Sequence, residues 1–216
     1  MVGLICQFKL NAKMNTKTFS THREKILYTA FRLFLKKGSS VGINEIIKQA
    51  GISKGALYHH FPSKDTLYKE AITSHLFQED LDYSFVRDAK LAFEEKVDKI
   101  IHTFFGNFIK NTAIFSESGA KTNSVFLLAE FIEKTNMRSI LHQQFFDLHY
   151  AFYELFINHQ AEIAQNNKNP PDVLASLSVK IVKGYYFDLI FFTIDNLTNK
   201  LKELKEEILN MLINSE

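Results

Sequence analysis

The seventeen residues Gly51–Leu67 read GISKGALYHHFPSKDTL. Within them stand a hydroxyl (Ser53), two ammonium groups (Lys54, Lys64), a phenol (Tyr58) and two imidazoles (His59, His60). All can donate hydrogen bonds, and phosphate oxygens accept them, so the set suits recognition of a phosphodiester backbone. Gly55 costs about 1 kcal/mol of helix propensity relative to alanine. With Ala56 it leaves the backbone thinly covered, as close approach to another molecule requires. Ala56 can also touch a thymine methyl. Ser53 and Lys54 fall at the positive end of any helix beginning after Gly51-Ile52.

Common catalytic devices are missing from the sequence. No glutamate is followed three residues later by histidine, so the paired Glu-x-x-His motifs of a di-iron bundle are absent. Gly119-Ala120-Lys121-Thr122 lacks the Gly-Lys-Ser/Thr core of a phosphate-binding loop. Adjacent histidines alone make a poor metal site, and Cys6, the single cysteine, is no plausible nucleophile. The reading is of a protein that is not an enzyme and needs no metal or cofactor; a helical-bundle enzyme is the rival class.

Such a donor-rich stretch must be held by helices, and the chain reads as all-α. A first helix opens at Thr21 with Glu24 three residues on, a capping-box pattern, and stops at Gly38. A second runs from about Ile43 to Ala50, with Gly42 at its cap. A third runs from Ser53 to about His60, with Leu57 and Phe61 turned inward. After Pro62, Ser63 caps a fourth, linking helix over 63–80. Long phenylalanine-rich helices are expected at about Ala89–Asn111, Thr122–Lys134 and Asn136–Gln165, with a loop at Ser116–Ser124. Asn166–Asp172 (NNKNPPD) is a break, and two more helices follow. The domains are then a tail at 1–19, a DNA-binding head at 20–66 and a body at 81–216.

Charge divides along the same line. Residues 1–64 hold 11 lysines and arginines against two acids, Glu24 and Glu45; residues 65–216 hold 15 against 22. A basic head over an acidic body fits a polyanion at one end only. No apolar run approaches the roughly 18–20 residues needed to cross a bilayer. The opening MVGLICQFKLNAKM is too short in apolar residues for a signal peptide, and Met14 is an alternative start. A lone cysteine fits a reducing compartment, so the expected location is the cytoplasm.

Helix, corner, short helix and bracing helix is the plan of a helix-turn-helix head. The segments THREKILYTAFRLFLKKG, INEIIKQAGISKGALYHHFPSKDTL and YKEAI resemble the TetR family of transcriptional regulators, over about Ser20–Ile72. The resemblance implies a homodimer on a palindromic double-stranded operator, and a helical body that binds a small-molecule inducer. It implies repression as the default; a body that serves only for dimerisation is the alternative. The DNA-binding candidates are Ser53, Lys54, Gly55, Ala56, Tyr58, His59, His60, Lys64 and Asn44. Gly42 departs from the serine or threonine usual in the family at that cap, and Ser39, Ser40 and Asn44 are the residues that could make up the phosphate contact.

In the body, Phe104, Phe108, Phe126, His149 and Tyr153 are the candidates for an apolar or aromatic ligand site. Leu174, Leu177, Ile181 and Gly184 repeat at 3-4-3 spacing, as do Leu201, Leu204, Ile208 and Met211. That spacing suits packing between antiparallel helices, within a protomer or across a dimer.

Overall fold

The computed structural model describes residues 19–77, 81–107, 109–110, 137–191 and 196–213, and every regular element among them is helical. Four helices build the head: α1 (His22–Lys37), α2 (Ile43–Ala50), α3 (Lys54–His60) and α4 (Lys64–Leu76). The body contributes α5 (Phe93–Phe104), α6 (Met137–Asn158), a single turn α7 (Gln160–Ile163), α8 (Pro171–Phe191) and α9 (Leu197–Ile213).

Local chemistry starts and stops these helices. Thr21 Oγ1 accepts from the Glu24 N–H at 3.1 Å, capping α1, while the Glu24 carboxylate reaches past Thr21 to the N–H and hydroxyl of Ser20. The expected capping box is therefore closed one residue upstream. Gly51 ends α2 in the left-handed region (φ 64°), which glycine reaches without strain, and turns the chain into α3. Ser63 Oγ caps α4 through the Thr66 N–H at 3.0 Å.

Several helix boundaries differ from expectation. The helix expected from Ala89 begins only at Phe93. Upstream, the carboxylates of Asp82 and Asp88 accept from the N–H groups of Ser84 and Lys90 at 2.8 and 2.9 Å. These local turns compete with helix and leave a 3-10 turn at Ser84–Arg87. The helix expected through Gln165 breaks at His159, whose ring lies edge-on to Phe93 at 5.1 Å. The linking helix ends at Leu76, with Phe77 as its cap; 78–80 lie outside the described residues, as do the helix expected at 122–134 and the loop at 116–124.

Two cores result. In the head, Phe31, Phe34, Ile46, Leu57, Phe61 and Leu67 are fully buried together. In the body, Ile100, Phe105, Phe152, Phe156, Val182 and Leu204 form the second. Ile140 and Leu141, in the first turn of α6, pack against the head core, so α6 belongs to both units.

Candidate nucleic-acid interface

Helix α3 is seven residues long, too short to persist alone in water. Its stability comes from Leu57 and Phe61, both 0% exposed in the head core, and from its cap: Ser53 Oγ accepts the Ala56 N–H at 3.1 Å. With those two residues turned inward, Ser53, Lys54, Gly55, Tyr58 and His59 are exposed, and Ala56 and His60 are half-buried. Tyr58 is the large group in the middle of this face, 42% exposed. The His59 and His60 rings meet edge-on at 5.2 Å. The face thus presents donors and a helix N-terminus, and its own seven residues carry no carboxylate.

Gly55 decides how this face is read. A Cβ built there would meet only Ser53 Oγ, at 3.9 Å. Its backbone is ordinary helix, so among the described residues neither packing nor conformation calls for glycine.

Around α3 the other candidates separate. Asn44 is exposed at the front of α2, above a Gly42 cap that makes no side-chain bond, as expected. Ser40 Oγ donates to the Lys37 carbonyl at 2.7 Å, so its hydroxyl is already engaged. Lys64, half-buried, directs its amine to the carbonyl of Ser39. Glu45, next to Asn44, is paired with Lys37 at 2.6 Å. Lys48, absent from the sequence candidates, is exposed one turn beyond Asn44 and shares a shallow concavity with it; the i, i+4 spacing of the two is the signal that points to it.

The body candidates do not converge. Phe104 sits in a ring cluster with Phe105, Phe145 and Tyr186, at centroid distances of 5.2, 5.3 and 5.8 Å. Lys183 places its amine 4.8 Å over the Phe145 ring. His149 instead faces α8, with Nε2 at 3.2 Å from Ser176 Oγ and 3.4 Å from Asp172. Tyr153 packs partly buried against the body core. Phe108 and Phe126 lie outside the residues whose side chains are described. Phe145 and Tyr83 escape sequence reading, because only the fold brings them to the core. The Tyr83 hydroxyl is buried with no hydrogen-bond partner among the described residues. Burial, with the Asp147 charge second, pushes its ionisation up.

The two 3-4-3 stripes have different fates. Leu201, Leu204 and Ile208 are buried in the protomer's own core, as is Leu174, and Met211 is half-buried against it. On α9 the seam is therefore spent inside the chain. On α8, Leu177 and Ile181 are half-buried and Gly184 is exposed, with no described residue within 4 Å of where a Cβ would stand. Val173 and Phe187, 39% and 52% exposed, extend this stripe beyond the residues that the 3-4-3 spacing picks out.

Residues 26–71, from α1 into α4, match the family model described as bacterial regulatory proteins, tetR family. Residues 26–71 are thus a TetR-type head. Among relatives, the HTH-type transcriptional regulators YxaF and LmrA of Bacillus subtilis (strain 168) are each 47% identical, over 70 and 57 residues. Those stretches are 29% and 26% of this chain, and only 37% and 30% of the relatives' own length. Solved structures extend the fold to the body. A transcriptional regulator from Aquifex aeolicus VF5 superposes with a TM-score of 0.57 at 18% identity, covering 88% of this chain and 99% of that one. Reduced NemR of Escherichia coli gives 0.54 at 16% identity, covering 91% and 100%.

Proposed function

We propose that this chain, with its TetR-type head, is a sequence-specific transcriptional regulator that binds operator DNA through α3 as a homodimer. The observation that carries the reading is the exposed α3 face with Gly55 open at its N-terminal half. In a helix-turn-helix the N-terminal residues of the recognition helix meet base edges in the major groove. Ser53, Lys54, Gly55 and Ala56 take that part here, while Tyr58, His59, His60, Lys64 and Asn44 donate to flanking phosphates. The partly exposed stripe Val173, Leu177, Ile181, Gly184 and Phe187 on α8 is the surface for the second copy. Two copies of α3 then enter successive major grooves about 34–36 Å apart, and the operator is palindromic.

Repression relieved by an apolar or aromatic small molecule in the body is the mode of action we favour. One head relative is named a transcriptional repressor, NemR of Escherichia coli (strain K12), 40% identical over 53 residues. The Phe104–Phe145–Tyr186 cluster supports an aromatic site. A ligand there lowers DNA affinity only by favouring a body state with another head spacing. The chain acts in the cytoplasm on this reading. Selection of bound duplexes from a random library tests it: an inverted repeat is expected, and failure to enrich any sequence overturns it.

A further inference from the structure

On α1, the Arg23 guanidinium makes two contacts at once. It lies 5.3 Å from the centroid of the Phe61 ring, and it pairs with the Glu70 carboxylate. Phe61 is the cap at the C-terminal end of α3; its N–H donates to the Leu57 carbonyl at 2.9 Å and its ring is 0% exposed. Glu70 is on α4, well beyond the turn that joins α4 to α3. One side chain therefore touches the end of α3 and the middle of α4 while being anchored on a third helix.

We propose that Arg23 is a positioning residue, which sets the angle of α3 according to where α4 stands. A guanidinium attracts a ring only from over its face, and a carboxylate bonded to one of its Nη atoms restricts where the guanidinium can sit. Glu70 thereby orients Arg23 over Phe61, and Phe61 orients α3. The far end of α4 is held by the body: the Phe77 carbonyl accepts from Asn107 Nδ2, and Ile140 and Leu141 of α6 pack on the head core. A shift of α4 driven from the body moves Glu70 first, then the guanidinium, then the cap of α3. Arg23 and Glu70 are 49% and 34% exposed, and a pair in that setting contributes little to stability alone. Its effect is on orientation, which DNA binding reads out. The inference rests on α3 being the helix that meets DNA.

The test uses the full chain and the duplex it selects, with affinity measured across a salt series. Wild type, Arg23→Ala, Arg23→Lys, Glu70→Gln and the Arg23→Ala/Glu70→Gln pair are compared. Arg23→Ala is expected to weaken operator binding about three- to tenfold with its salt slope unchanged, and Arg23→Lys to recover part of the loss. Glu70→Gln is expected to cost affinity in the wild-type background and nothing further beside Arg23→Ala. A salt slope lowered by about 0.9 in Arg23→Ala, with Glu70→Gln silent, would make Arg23 a phosphate contact and overturn the proposal. Wild-type affinity in Arg23→Ala, or independent costs that simply add, would overturn it as well. Wild type that selects no duplex at all would sink the DNA-binding reading itself.

Discussion

The Lys64 amine, at the start of α4, donates to the main-chain carbonyl of Ser39 across the mouth of the helix-turn-helix. That bond closes the turn after α1 onto the segment that follows α3. On the proposed reading the same cation serves a flanking phosphate. An amine has three donors, so holding Ser39 leaves others for phosphate.

Replacing Lys64 by alanine is therefore expected to act twice. Affinity for all duplexes falls, and the slope of log affinity against log salt drops by about 0.9, as for one lost phosphate contact. The free head loses about 1 kcal/mol with the hydrogen bond, seen as a lower unfolding midpoint. Binding titrations at several salt concentrations decide the first point; an unchanged slope removes Lys64 from the phosphate contacts.

Gly184 offers a separate test of the dimer. No described residue stands within 4 Å of a Cβ placed there, so among the described residues a larger side chain has room and gains helix propensity. At a close helix–helix contact the same residue overpacks, at about 1–3 kcal/mol. Gly184→Leu is thus expected to weaken self-association about 5- to 150-fold while leaving the helical content intact. Sedimentation equilibrium measures this, and undiminished dimerisation would place the interface elsewhere.

Alkaline pH probes the body. Burial, then a hydrogen bond to Glu207, pushes the Tyr185 phenol up to about 12. A proton held more tightly in the fold than in the unfolded chain stabilises fully below the ordinary value near 10. That contribution fades as pH rises toward about 12. Stability to urea should fall over this window, and Tyr185→Phe should flatten the fall; Tyr83 and Tyr186, also raised, account for the remainder. Identical pH profiles for the two proteins would contradict the assignment.

The head is legible in the sequence because its signals are local. Thr21, Ser53 and Ser63 cap helices from their own sequence neighbourhoods, and Gly51 marks the corner by its backbone alone. The face of α3 follows from placing Leu57 and Phe61 inward. The body is less legible because its decisive facts are tertiary. Leu204 and Ile208 share their spacing with Leu177 and Ile181, yet the first pair is 0% exposed and the second is only half-buried. Spacing gives the stripe on a helix and not the partner it meets. The turns around Asp82 and Asp88 likewise displace a helix start that apolar periodicity puts near Ala89. The coupling of Arg23 to both Phe61 and Glu70 joins residues 38 and 47 positions away, beyond any local pattern.

The central claim is that the N-terminal half of α3 approaches bases closely. It is tested most directly by Gly55→Val on the selected operator, with a melting curve on the same sample. The space at Gly55 accepts the side chain in the free protein, so the fold and the body's stability should be kept. Operator affinity should fall to that for unrelated duplex. Wild-type affinity in Gly55→Val would contradict the close approach of α3 to DNA.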